Sequence, residues 1–209
     1  MTEHIETCIL QDPADTNRRL SELGLTKEGL IRAVYVSRAE RNNATGLHPA
    51  NAAGTFSYHH GVAAIRREYL SDEWEIDRRD GIEAIRNDAV GIKVTFCNVD
   101  EACGRDHPRP RSEKGAGAER ASGPNLFEHY GAGELVAHAP MPVDGPALFY
   151  LMVDQNGRAE LTRPVIARRT FVAAVERIFL IKEVEENGAI LPLDANDIAD
   201  DFEPLIVRK

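Results

Sequence analysis

The chain has 209 residues, 43% of them hydrophobic and 28% charged, which suits one ordinary globular domain with appendages. Its net charge of −9 argues against a protein that coats nucleic acid, because such binding draws its strength from neutralised phosphates. No window approaches 18 uncharged apolar residues, and MTEHIETCILQDPADTNRRL opens with acids rather than a basic n-region, so neither a membrane span nor a secretory signal is expected.

Cys8, Cys97 and Cys103 form an odd, sparse set, unlike the dense even sets of disulfide frameworks, and point to a reducing cytoplasm. Twenty Arg stand against five Lys, with doublets at Arg18-Arg19, Arg66-Arg67, Arg78-Arg79 and Arg168-Arg169. Arg forks suit phosphate and carboxylate, although the same excess is what a GC-rich genome writes, and charge runs are usually solvated faces.

In chain order, DTNRRLSELGLTKEGLIRAVYVSRAERN reads as two helices. Asp15 or Thr16 caps the first, Gly24 closes it, and Thr26 caps the second, whose stripe is Leu30, Ile31, Val34 and Tyr35. The pair resembles a helix-turn-helix in outline but lacks a basic recognition helix. TFSYHHGVAAIRREYL predicts a third helix capped by Thr55, with Tyr58, Val62, Ile65 and Tyr69 on one face. His59 and His60 are candidates for acid-base work, yet adjacent helical residues point about 100° apart and do not readily chelate one ion.

EWEIDRRD predicts a short strand and DGIEAIRNDA a short helix or wide turn. VGIKVTFCNVD alternates Ile92, Val94 and Phe96 with Lys93, Thr95 and Cys97, the clearest strand of this half. Further on, GELVAHA is a strand candidate, and PALFYLMVDQNGRAELTRPV predicts a hairpin turning at Asn156-Gly157, a dipeptide suited to a type I′ turn. The unbroken apolar run Ala147–Val153 fits a central strand covered on both faces. Its partner puts Ala159 and Leu161 inward and Arg158, Glu160 and Thr162 outward, with Pro164 marking an edge. Residues 169–177 read as helix or strand, while 178–184 favour a strand. The fold class expected is α+β: N-terminal helices packed on a mostly antiparallel sheet of about five strands, in a single domain over residues 1–182. Residues 183–209 then form a tail whose eight acids are interspersed with Ile190, Leu191, Leu193, Ile198, Phe202, Leu205 and Ile206, a pattern that docks on its own body or on a basic partner.

CNVDEACGRDHPRPRSEKGAGAER begins at the end of a strand, where functional loops are often mounted. Cys97, Cys103 and His107 give C-x5-C-x3-H, one ligand short of a structural zinc site and too widely spaced for the usual cysteine pair. EKGAGAER fails the P-loop and dinucleotide templates, but residues 104–124 hold five Lys or Arg against Asp106, Glu113 and Glu119, a net of +2. Arg109, Arg111, Lys114 and Arg120 are the candidate anion-binding residues of a flexible loop. A G-x-S-x-G elbow is absent.

The order SELGLTKEGLIRAV, GVAAIRREYL, EWEIDRR, GIKVTFCNVDEACG, a Lys-Gly loop, NLFE, a hairpin and VERIFLI resembles a family of uncharacterised bacterial, chiefly actinobacterial, proteins over residues 20–182. The resemblance implies an α+β organisation and carries no activity or catalytic residue. Relatives in that family bear a Gln-Leu-x-Leu-Phe peptide after the Lys-Gly loop, similar to the motif that binds the replication sliding clamp. Gly123-Pro124-Asn125 replace the glutamine segment here, leaving only Leu126 and Phe127 of that pattern.

The leading expectation is a non-enzymatic cytoplasmic binding or regulatory protein that engages a basic protein partner through an acidic surface, an anti-defence or DNA-mimic role included. The alternative is an enzyme or sensor for a nucleotide or other phosphorylated small molecule. It would use Arg109, Arg111, Lys114 and Arg120 as clamps and His59, His60 or His107 for proton transfer. The third is a nucleic-acid binder through the Arg doublets. No cofactor and no membrane are expected.

Overall fold

The alternation in residues 92–98 becomes a strand whose every residue is buried, because both faces of the sheet to which it belongs are covered. The computed structural model describes residues 7–122 and 145–182. In chain order its elements are β1 (Cys8–Leu10), α1 (Pro13–Glu22), α2 (Lys27–Arg41), α3 (Ala52–Tyr69), β2 (Glu75–Asp77), a single 3-10 turn (Arg79–Gly81), β3 (Ala84–Asn87), β4 (Ile92–Asn98), α4 (Ala116–Ala121), β5 (Ala147–Val153), β6 (Ala159–Ala167) and β7 (Thr170–Ile181).

The class is α+β as expected, but the sheet is larger and more mixed than five antiparallel strands. Seven strands run in the order β1-β7-β6-β5-β4-β3-β2, with β1 parallel to β7 and β4 parallel to β5. The segment read as helix or turn, residues 80–89, contains β3, which pairs antiparallel with both β2 and β4. Of residues 169–177, all but Arg169, which lies in the turn before β7, are strand. GELVAHA, NLFE and the tail 183–209 lie outside the described residues. No helix among the described residues is long and apolar enough to cross a membrane.

Helix caps differ from expectation where a stronger signal stood upstream. Asp12 caps α1, accepting from the Ala14 and Asp15 amides at 2.9 and 3.4 Å with Pro13 at the first helical position, a place whose missing N–H costs nothing. α3 starts three residues before Thr55, whose hydroxyl instead donates to the Asn51 carbonyl. Thr26 caps α2 through the Gly29 amide, as read.

α1, α2 and α3 cover one face of the sheet. Leu20, Leu30, Val34, Val62 and Ile65 meet Ile85, Val94, Phe96, Phe149, Leu151, Leu161 and Ile178 there. Tyr35, placed in the α2 stripe, is 57% exposed, and Ala33 takes its share of the core. A buried chain of Ser37, Ser57 and Asn98 hydroxyl and amide groups, ending on the Gly54 carbonyl, joins α2, α3 and β4.

The opposite face carries a second core of Ile82, Ala84, Cys97, Leu148, Tyr150, Met152, Ile166 and Phe171, under Val99, Ala102 and Ala118 of the segment that follows β4. Pro164 marks the end of β6 that only β7 pairs: the β5–β6 register stops at Tyr150 and Thr162, and from Arg163 to Ala167 the partners are all on β7, with a register shift between Arg163 and Pro164. The Asn156-Gly157 turn is not type I′. Gly157 alone of the pair has positive φ, +84°, and its N–H bonds the Asp154 carbonyl at 3.0 Å, the pattern of a three-residue loop ending in a left-handed glycine.

The type I′ geometry appears instead at the β6–β7 hairpin, where Arg168 (φ 54°) and Arg169 (φ 64°) link the paired residues Ala167 and Thr170. Two arginines hold conformations normally given to Asn-Gly. Arg169→Gly is expected to raise stability by about 1 kcal/mol, the left-handed penalty less glycine's added chain entropy, and urea denaturation checks it. Only the exposed Arg169–Glu113 pair at 2.9 Å is lost, and such pairs contribute little.

Candidate functional site

Strand alternation puts Lys93, Thr95 and Cys97 of β4 on the sheet face away from the three long helices. Register fixes their neighbours. Asp77, Ala84, Thr95, Tyr150, Thr162 and Arg177 lie in one row across six strands. Lys93 sits in the adjoining row between Arg86 and Leu148. Glu160, read as outward-facing, is 0% exposed and takes a bond from the Cys103 amide of the 99–122 segment, and Lys93 and Arg177 on the same face are 4% and 1% exposed.

The 99–122 segment packs on this face through specific bonds. Val99 bridges Pro110, the Lys114 amide donates to the Arg169 carbonyl at 2.8 Å, and the Glu119 carboxylate accepts from the Arg168 amide at 3.1 Å. At the other end Gly117 lies against Asp80, so closely that an added Cβ would stand 1.8 Å from the Asp80 carbonyl oxygen. Among the described residues the non-glycines with positive φ are Asp80, Cys103, Arg168 and Arg169. All four belong to this segment or touch it. Strained backbone persists where surrounding structure over-determines it, and it concentrates at functional sites.

The buried charges of this face fall into two classes. Glu160 is fully satisfied: Arg177 donates Nε to Oε1 at 2.9 Å and Nη2 to Oε2 at 2.7 Å, the Thr162 hydroxyl donates at 2.6 Å and the Cys103 amide at 2.6 Å. That set is structural. The lysines differ. Lys114 places Nζ 5.5 Å from the Tyr150 ring centre and 5.8 Å from that of Phe171, a cation held on aromatic faces. Lys93 has no hydrogen bond or ion pair among the described residues. Burial pushes its pKa below the usual lysine value, and the nearby Asp77 and Asp80 charges pull it partly back. Asp77 itself is engaged by the Arg79 guanidinium at 3.0 Å.

The four candidate clamps are dispersed rather than gathered. Lys114 points onto the sheet. Arg109 is exposed, its amide held by Asp100. Arg111 reaches the Val99 carbonyl at 3.4 Å and Gln155 at 3.3 Å. Arg120 pairs with Asp80 at 3.2 Å. His107 is exposed in the same segment. His59 and His60 lie on α3, across the sheet from Lys114, with His60 3.8 Å from Glu40 and His59 edge-on to Tyr58. They cannot share one site with the 104–124 clamps.

Among the described residues no group of three or more His, Cys, Asp and Glu is arranged to hold a metal. Cys97 is buried and its thiol contacts the neighbouring Asn98 carbonyl at 3.2 Å. Cys103 donates to the Ala159 carbonyl at 3.1 Å, and burial, aided by the Glu160 charge, pushes its pKa up to about 12. At pH 8 the thiolate fraction is then on the order of 10⁻⁴, and the thiolate is the reactive form. Iodoacetamide is expected to leave Cys103 unlabelled in the native protein and to label it on denaturation. Rapid native labelling, read by peptide mass spectrometry, would contradict this geometry.

Sequence reasoning missed Lys93 as a site residue because periodicity reports which face a side chain takes, not what covers that face. Its signal was a lysine inside an otherwise apolar strand. No protein-family model, curated protein or solved structure matches the chain.

Proposed function

We propose that this protein is a non-catalytic binding or regulatory protein that takes a small anionic ligand, a phosphorylated compound by class, between the sheet and the 99–122 segment. The observation that supports it is a pair of lysines buried on one sheet face, Lys93 and Lys114, of which Lys93 makes no hydrogen bond or ion pair among the described residues. Burial disfavours the Lys93 ammonium and the nearby Asp77 and Asp80 charges offset part of that cost; a ligand anion would offset more of it. Capture of a basic protein by residues 183–209 rests on sequence pattern alone, and the Arg doublets are dispersed over α1, α3, the 78–79 turn and the β6–β7 tip.

The test is thermal denaturation with inorganic pyrophosphate and with nucleotides. Saturating a site to a hundred times its Kd stabilises the folded state by about 2.7 kcal/mol. The wild-type protein is expected to show such a shift with at least one of these anions, and Lys93→Met to reduce it at least tenfold in apparent affinity. No shift at millimolar anion, or equal shifts in both proteins, would remove the reading.

A further inference from the structure

We infer that Glu183, Glu185 and Glu186 cover, within one chain, an exposed basic tip formed by Arg105 and Arg109, and so act as a built-in competitor for any acidic partner of that tip. The inference is independent of the anion-binding reading above. Specific bonds hold the tip in place. Val99 bridges Pro110, the Asp100 amide donates to the Arg109 carbonyl at 3.0 Å, and the Arg109 amide donates to the Asp100 carboxylate at 2.7 Å. Its foot is fixed to the sheet, where the Cys103 amide donates to Glu160 at 2.6 Å and the Ala102 amide to Asp154 at 3.2 Å. Arg105 and Arg109 are exposed, and among the described residues neither guanidinium makes a hydrogen bond or ion pair.

Position and charge both bring the three glutamates to this tip. The Cys103 thiol reaches the Ile181 carbonyl at 3.4 Å, with Arg105 two residues beyond Cys103 and Glu183 two residues beyond Ile181. A residue spans at most about 3.6 Å of extended chain, so Glu186 stands within about 18 Å of that anchor whatever path the chain takes. So short a tether gives an effective concentration of about millimolar. The nearer carboxylates are already committed. Asp100 accepts from the Glu101 and Arg109 amides, both at 2.7 Å, and Glu101 pairs with Arg158 at 3.1 Å. Asp106 alone remains against Arg105 and Arg109, whereas residues 183–209 hold eight acids against Arg208 and Lys209, a net of −6. Exposed ion pairs contribute little singly. The contact therefore depends on several charges meeting under one tether, and it weakens with salt.

The experiment uses the full chain carrying Arg109→Lys, which keeps the charge and supplies an amine, coupled with a water-soluble carbodiimide and mapped by peptide mass spectrometry. A mixture of isotope-labelled and unlabelled chains separates coupling within one chain from coupling between two. The introduced amine is expected to couple to Glu183, Glu185 or Glu186 of its own chain. That yield should fall at least about fivefold between about 50 and 500 mM salt, and as much when Arg105→Glu is added. Yields that ignore both changes would mean that the tether alone brings the groups together, and the inference fails. Coupling confined to Asp100, Glu101, Asp106 or Glu113, or reaching only the acids of residues 194–203, overturns it as well. Mixed-isotope products in place of single-chain ones would give the tip to a second copy and remove the contact within one chain.

Discussion

Replacing Glu160 by Ala is expected to lower the unfolding free energy by about 3–5 kcal/mol, the range for breaking a buried ion pair from one side. The Arg177 guanidinium is 1% exposed and would lose both of its bonds to the carboxylate, at 2.9 and 2.7 Å. The Phe179 ring, 5.0 Å away, cannot replace a full counter-charge. The Thr162 hydroxyl and the Cys103 amide would lose their acceptor too. Urea denaturation of Glu160→Ala, Arg177→Met and the pair Glu160→Leu with Arg177→Met resolves the contributions. The double variant is expected to recover most of the loss, because a well-packed apolar pair often equals a buried ion pair. Recovery should stay incomplete until Thr162→Val removes the orphaned hydroxyl. A single-variant loss under about 1 kcal/mol would mean that water reaches this pair.

The same residues show where reading the chain stops. The inward positions of β4 and β6 were legible because Ile92, Val94 and Phe96, and Ala159 with Leu161, face the helices and a period of two identifies a face locally; β5 was legible because the unbroken run Ala147–Val153 packs on both faces. α2 was legible from its Thr26 cap. β1 was not, since three residues gain strand character only by pairing with Glu176, Arg177 and Ile178 far along the chain. β3 was misread because Glu83 and Ala84 suggested a helix, whereas tertiary pairing on both sides outweighs weak local propensity. Glu160 and Thr162 were assigned to the correct face and to the wrong medium. What covers that face is the 99–122 segment, whose low apolar content and many charges look solvated. It stays on the sheet through backbone bonds to Arg169 and Arg168 and through glycine's close approach to Asp80, none of which leaves a pattern in sequence. Lys114 and Arg120 were grouped as cations of one loop, yet one faces aromatic rings and the other an exposed aspartate.

Gly117→Ala is expected to destabilise the protein by about 1–3 kcal/mol, the usual range for an extra methyl group in a filled space, and to loosen the 99–122 segment selectively. The new Cβ would stand 1.8 Å from the Asp80 carbonyl oxygen, 2.7 Å from its carbon and 2.9 Å from its Cβ. No rotamer change relieves this, because the obstacle is backbone, and Asp80 already holds φ at 60° before Gly81 at 73°. α4 must therefore lift from the 79–81 turn. The Arg120–Asp80 pair, exposed on both sides, adds little resistance, while Ala118, 1% exposed, loses its packing. Alanine's better helix propensity offsets only part of the cost in a helix of six residues. Hydrogen exchange should show faster amides over 114–122, with β4 and β5 unchanged; uniform acceleration across the sheet would mean that segment and sheet unfold as one unit. The same variant bears on function, since a ligand enclosed between segment and sheet loses one wall when α4 lifts. Pyrophosphate stabilisation is expected to weaken in Gly117→Ala even though Lys93 and Lys114 are both intact.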